Sequence, residues 1–174
     1  MMRYIGLLCF SFIMLLSSAC SMHQPQSAEE FRQMLPGSMF GKHETFEVNR
    51  SLAKVTSSFK KRAGKCLNMV IERTTTNQYG QVMGVTNITY TPTVRANKKK
   101  TELIVQQLPE GNVILMGEIP KKGMYFFVAD AVKAGKKKTK IDFYRGSIGS
   151  DTLARAIKNW ATGKNMGCPD LTQG

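Results

Sequence analysis

Cysteine and histidine are the residue types in this sequence that best suit metal binding, redox chemistry or nucleophilic catalysis. The 174-residue chain has four cysteines and two histidines. His23 and His43 lack further ligands at the spacing of a zinc site, and neither has a context that would orient it beside a nucleophilic serine. The sequence also contains no glycine-rich phosphate loop and no dinucleotide fingerprint. It therefore predicts no metal, no cofactor and no enzyme of a recognisable class.

Two aspartates offer the other arrangement with catalytic potential. Asp130 and Asp142 flank a predicted hairpin turn, and two facing carboxylates can act as a general acid and a general base. Aspartates in such positions more often pair with lysines, and Lys133, Lys138 and Lys140 are close in sequence. We therefore interpret the two aspartates as structural and predict that the protein is not an enzyme.

The first 19 residues have the order of a secretory signal peptide. Residues 1–3 supply a positive start, residues 4–16 form an apolar run, and residues 17–19 are small. The run is shorter than the roughly 20 residues that a membrane-spanning helix needs, and no later segment approaches that length. We expect an exported precursor from which residues 1–19 are removed.

The end of this leader resembles the lipobox of bacterial lipoproteins. Residues 16–20 read Leu-Ser-Ser-Ala-Cys, although the leucine lies four residues before the cysteine instead of the usual three. The resemblance implies that Cys20 is acylated and becomes the first mature residue, which anchors the protein to a membrane. Because Ser21 follows in place of aspartate, it also implies the outer membrane, facing the periplasm. Ordinary cleavage after Ala19 is the alternative interpretation.

The remaining cysteines form an even pair. Cys9 leaves with the leader and Cys20 carries the lipid, so Cys66 and Cys168 are left in an oxidising compartment. We predict a disulfide between them, which would close a loop of about 100 residues and stabilise the fold by roughly 4–5 kcal/mol. A redox or metal site is the alternative.

The charge of the chain points to anionic partners. Lysine and arginine number 25 against 12 acidic residues, a formal net charge of +13, and only Arg3 of the basic residues leaves with the leader. Such a surface favours anionic lipid, anionic glycan or an acidic envelope protein. Nucleic acid is not expected, because the compartment is wrong and no aromatic residues interleave with the lysines. The alternative is that the lysines only keep the domain soluble.

Six basic residues fall in two turns of the predicted sheet. The second turn of the meander contains Arg95, Lys98, Lys99 and Lys100. The fourth turn contains Lys121 and Lys122. Alternate turns of an antiparallel meander lie at the same end of a sheet. We therefore predict one anion-binding rim that contains Arg95, Lys98, Lys99, Lys100, Lys121 and Lys122. The fifth turn, with Lys133 and Lys136–Lys138, is predicted at the opposite end; the alternative is that turn lysines only block sheet-to-sheet association.

Hydrophobic periodicity divides the chain into a tether and one domain. Residues 20–40 are predicted to be a lipid-anchored tether with a short helix that Ser27 caps, and residues 41–174 a single domain. Within it, one helix is expected with Asn49 or Ser51 as its cap and Gly64 at its end, and another with Ser150 or Asp151 as its cap and Gly163 at its end. Period-two patterns predict an edge strand at 43–48 and further strands at 66–74, 82–91, 101–108, 112–117, 124–132 and 139–144.

This element order predicts an α+β fold with an antiparallel meander of about six strands and helices packed on one face. The order is similar to that of helix-grip folds, in which a curved sheet wraps a C-terminal helix. Our leading functional hypothesis is a lipid-anchored, non-enzymatic binding or scaffold protein with a basic surface. The alternative is a carrier that holds a hydrophobic ligand between sheet and helix, in a cavity lined by the methionines of the strands and by aromatic residues, namely Tyr90, Tyr125, Phe126, Phe127 and Trp160.

Overall fold

The computed structural model describes residues 24–39, 41–110, 119–146 and 149–172. The predicted leader, Cys20 and the predicted strand 112–117 lie outside these residues. Within the described part of the chain, no helix is long and apolar enough to cross a membrane.

Six strands form one antiparallel sheet, which confirms the predicted α+β class. They are β1 (Gly41–Val48), β2 (Met69–Thr76), β3 (Val82–Ala96), β4 (Lys100–Glu110), β5 (Met124–Lys133) and β6 (Thr139–Gly146). Their order in the sheet is β1-β6-β5-β4-β3-β2. Strands β2 to β6 are thus a meander, and β1 pairs with β6 as the predicted edge strand.

Two longer helices cover one face of this sheet, hereafter the α2 face. Helix α2 (Leu52–Cys66) connects β1 to β2, and α3 (Asp151–Thr162) follows β6. The predicted apolar stripe of α2 is buried, and Leu153, Ile157 and Trp160 of α3 are buried beside it. Helix α2 continues past the predicted end at Gly64. The stripe extends from Ala63 to the buried Cys66, and this burial offsets the cost of about 1 kcal/mol for an internal glycine.

The short first helix lies on the other side of the sheet, hereafter the α1 face. Helix α1 (Ala28–Met34) begins as predicted, since Ser27 Oγ accepts a hydrogen bond from the Glu30 N–H at 3.1 Å, and a 3₁₀ turn (Leu35–Gly37) follows. Phe31 packs against Ile104 and Val128. The prediction that the helices share one face thus holds only for the two longer ones. The central strands carry apolar residues toward both faces, so the second face also needs a cover.

A disulfide joins Cys66 to Cys168 with a Cα–Cα distance of 5.0 Å, as predicted. Cys66 is the last residue of α2, so the strand predicted to begin there starts instead at Met69. The bridge holds the tail after α3 beside β2, where Leu171 is buried and its carbonyl accepts a hydrogen bond from Arg73 Nη2 at 3.2 Å.

Candidate anion-binding surface

The pairing of β4 with β5 decides which turns lie together. Lys100 is opposite Val132, so the β3–β4 turn and the β5–β6 turn share one end of the sheet. The Lys133 N–H donates to the Lys99 carbonyl across these turns at 3.3 Å. The connection that holds Lys121 and Lys122 is at the other end of β4 and β5. The predicted sharing of one end by these lysines and Lys98–Lys100 is therefore wrong, because β4 pairs directly with β5 in the sheet, whereas the prediction placed another strand between them.

A groove of about 730 Å³ lies between α2 and the two turns that share this end. Lysines from three separate segments line it: two from α2, one from the β3–β4 turn and two from the end of β5 and the turn that follows. We call the concave surface around these five residues the basic groove; they are Lys60, Lys61, Lys98, Lys133 and Lys136. All five side chains are exposed, and the lining residues within the described part of the chain include no aspartate or glutamate.

Helix α2 supplies one wall of the basic groove because its buried stripe fixes which side faces the solvent. Ala53, Ser57, Lys60, Lys61 and Gly64 recur at helical spacing and are all exposed. The helix contains five basic residues and no acidic one. Its outward face is therefore uniformly positive, with small side chains at Ala53, Ser57 and Gly64 that leave the surface low between the lysines.

A second hollow of about 470 Å³ adjoins the basic groove on the other side of α2. The two hollows share Ser57 and Lys61, and Lys54 and Arg62 extend the positive surface. Arg50 also lines this hollow, but its Nη1 donates to the carbonyls of Trp160 and Ala161, each at 3.0 Å, at the C-terminal end of α3. Arg50 thus joins α3 to the loop before α2. The other basic residues of this second hollow, Lys54, Lys61 and Arg62, belong to α2.

The structure divides the six residues of the predicted rim among different surroundings. Lys98 belongs to the basic groove, and Lys99 lies in the adjacent turn. Lys100 is in ion pairs with Glu102 and Asp130, each at 3.2 Å. The other three, Arg95, Lys121 and Lys122, line a hollow of about 200 Å³ with Ile104 and Tyr125, two residues that pack with α1 on the α1 face.

The acidic residues of the central strands form a row on the α1 face. Glu102 is opposite Asp130 in the strand register, and Asp130 is opposite Asp142, as predicted for the two aspartates. Arg32 of α1 closes over this row: its Nη2 donates to Glu102 Oε1 at 2.5 Å and to Asp130 Oδ1 at 2.8 Å. Asp142 accepts a hydrogen bond from Thr45 Oγ1 at 2.5 Å. The carboxylates are thus partnered within the fold, which supports the structural interpretation.

The electrostatics of the row follow from burial and from its cations. Burial raises the pKa of Glu102, but the hydrogen bond and charge of Lys100 and those of Arg32 act against this, and the net result is a pKa below the usual value for a glutamate. Glu102 is therefore held as a carboxylate. In the described residues, no group of three histidine, cysteine or acidic side chains is arranged to hold a metal ion.

Sequence reasoning missed the part that α2 plays in the groove. It assigned Lys60, Lys61 and Arg62 to the end of a helix, where cations interact favourably with the helix dipole. The available signal was the absence of acidic residues on the exposed side of α2. The place of α2 beside the two turns is a tertiary feature that spacing alone does not give.

Comparisons of the chain with protein-family models, with curated proteins and with solved structures found no match. The similarity to helix-grip folds therefore rests on the order of helices and strands. The case for a function rests on the surfaces of the protein itself.

Proposed function

We propose that this protein is a lipid-anchored, non-enzymatic binding module of the bacterial envelope, and that its basic groove binds an anionic partner. The observation that carries the proposal is the convergence of five lysines from three segments on one concave surface, with no carboxylate among the described residues that line it. Like charges held near each other oppose the compact fold, so this arrangement favours an external anion that neutralises them.

The strength of such binding depends on the number of contacts. One exposed ion pair contributes about 0–1 kcal/mol and is weakened by salt. A partner that carries several negative charges can engage several lysines together, and the small contributions then add to a useful affinity. A single small anion would gain little from this surface. The partner is accordingly expected to be multiply charged and its binding to be salt-sensitive.

The proposed location is the periplasmic side of the outer membrane, with acylated Cys20 as the anchor. The leader and the lipobox-like residues before Cys20 support it. The Cys66–Cys168 bridge supports an oxidising compartment, since disulfides persist there and are rare in the cytosol. Mass spectrometry of the processed protein tests the anchor: fatty acid on an N-terminal Cys20 is the expected result, and an unacylated N-terminus would remove this part of the proposal.

The binding proposal is tested with two matched variants. The groove variant carries Lys60→Glu, Lys98→Glu and Lys136→Glu, all in exposed lysines of the basic groove. The control variant carries Lys121→Glu, Lys122→Glu and Lys164→Glu at exposed positions outside it, with the same change in net charge. Retention on anionic polymers extracted from a bacterial envelope is then measured as salt is raised. The groove variant should elute at much lower salt than the control; equal elution of the two would contradict the proposal.

A hydrophobic-ligand carrier is the second candidate, and one observation favours it. Tyr90 Oη and Trp160 Nε1 are buried without a hydrogen-bond partner in the described part of the protein, which is uncommon for such groups. A ligand with a polar atom between sheet and helices would supply one. However, Phe127 and Phe143 are packed in the core, with ring centroids 5.0 Å apart. Native mass spectrometry of gently isolated protein tests this candidate, and a mass without bound ligand counts against it.

A further inference from the structure

The basic groove and the N-terminal segment lie on opposite faces of the sheet. Ser27 caps α1, which packs on the α1 face through Phe31 and Arg32, whereas the groove lies over α2 on the opposite face. Ser27 is seven positions after Cys20, which gives a reach of at most about 25 Å. A lipid at Cys20 would therefore attach the protein through its α1 face. Headgroups of the anchoring membrane could reach the groove on the opposite face only if the protein turned on this tether.

The shape of the surface also disfavours a membrane. A bilayer presents a broad surface, whereas the basic groove is concave and continues across α2 into the second hollow through Ser57 and Lys61. The basic positions of α2 extend from Lys54 to Lys65, which at about 1.5 Å per residue is roughly 16 Å along the helix. A flexible chain with spaced negative charges can follow this path.

The neutral residues between the lysines indicate the kind of chain. Ser51, Ser57 and Asn97 place hydroxyl and amide groups in the basic groove, and no aromatic residue is among the described residues that line it. Leu52, the large aliphatic residue of this described lining, is buried. Single-stranded nucleic acid would use aromatic stacking platforms, and a peptide would use apolar or aromatic anchor pockets. The described lining offers neither kind of contact, whereas its ammonium, hydroxyl and amide groups together match the carboxylates and hydroxyls of an acidic sugar chain.

We propose that the basic groove binds an anionic polysaccharide, which lies across α2 on the side of the protein away from the N-terminal segment. This inference rests on the proposed function, because it names the class of partner for the same surface. Binding depends on charge and hydrogen bonding, so it is weakened by salt and does not require one particular sugar.

The test compares three probes that differ in chemistry and carry comparable negative charge. They are an oligogalacturonate as the acidic sugar chain, a polyglutamate as the acidic peptide, and vesicles of phosphatidylglycerol and phosphatidylcholine in equal amounts. The full processed protein, the groove variant and the control variant are titrated with each probe at low salt. Melting curves check that both variants are folded, which is expected because all six substituted lysines are exposed.

Oligogalacturonate is expected to bind the wild-type protein and the control variant most tightly of the three probes. The groove variant should lose about 30-fold or more in affinity, since three contacts of roughly 0.7 kcal/mol each are lost. Tighter, groove-dependent binding of polyglutamate or vesicles would overturn the polysaccharide inference and leave the proposed function in place. If no probe distinguishes the groove variant from the control, both fail.

Discussion

On the α1 face of the sheet, Arg32 and Lys100 lie against Glu102 and Asp130, whereas on the α2 face five lysines surround a groove whose described lining contains no carboxylate. The first set of charges is neutralised inside the fold. The second is exposed, and its neutralisation is left to an external partner. Basic residues that are close in sequence can thus have different roles. Lys100 forms ion pairs within the fold, whereas Lys98 lines the basic groove.

The largest effect is expected from the disulfide, which belongs to the α2 face because Cys66 ends α2. Replacing Cys66 and Cys168 together by serine should lower the free energy of unfolding by about 4–5 kcal/mol, since the bridge closes a long loop. Urea unfolding measures the loss. Hydrogen exchange should become faster for all amides that exchange through global unfolding, because the loop-closure entropy acts on the unfolded state of the whole domain. A loss of less than about 1 kcal/mol would contradict this prediction.

A smaller loss is expected from the α1 face. The side chains of Arg32 and Asp130 are only 10% and 9% exposed, so Arg32→Ala removes one of the two cations that pair with Asp130 and Glu102 and leaves Lys100 to pair with both carboxylates. The free energy of unfolding should fall by about 2–3 kcal/mol. Arg155→Ala, at an exposed position of α3, serves as the control and should change it by less than about 0.5 kcal/mol. Equal effects of the two substitutions would show that the ion pairs of Arg32 with Glu102 and Asp130 do not stabilise the fold.

The pH dependence of stability should also come from the α1 face. Because the folded protein holds the pKa of Glu102 below its usual value, ionised Glu102 stabilises the fold above the unfolded pKa of about 4.3. This contribution is lost as the pH falls through the lower, folded pKa. Glu102→Gln should therefore flatten the acid limb of a stability–pH curve, with a smaller effect at neutral pH than Arg32→Ala. An unchanged acid limb would argue against this assignment.

The smallest effect, of opposite sign, is expected in the basic groove. Lys98→Gln with Lys136→Gln removes two cations that face other lysines, so the free energy of unfolding should stay equal or rise by up to about 0.5 kcal/mol at low salt. Thermal melts at low and high salt measure the change, and the gain should vanish in high salt. A loss above about 1 kcal/mol would show that these lysines stabilise the fold internally, as Arg32 does.

Local patterns in the sequence predicted the fold class, the stripe of α2 and the disulfide. Leu52, Val55 and Phe59 recur at helical spacing, and burial of one side follows directly from that period. Cys66 and Cys168 were the pair left after the leader and the lipid cysteine were set aside. These inferences needed only the residues themselves and their immediate neighbours.

The site depended on features that local patterns do not contain. The prediction did not pair β4 directly with β5, so it moved Lys121 and Lys122 to the wrong end of the sheet and separated Lys98 from Lys133, although their turns are neighbours. Likewise, the apolar residues of α1 gave no sign of which face they would cover. Long-range strand pairing decides which turns share an end of the sheet, and tertiary packing decides which face a helix covers. One wrong pairing therefore changes which charged residues lie together on the surface.

The salt dependence of oligogalacturonate binding tests the central claim most directly. Log affinity falls as log salt rises, and each lysine that neutralises a charge on a polyanion makes this slope steeper. Loss of three such contacts should therefore reduce the steepness of the slope by about two. We predict that decrease for the groove variant and an unchanged slope for the control variant with Lys121→Glu, Lys122→Glu and Lys164→Glu. Equal slopes for the wild-type protein and the groove variant would contradict the account.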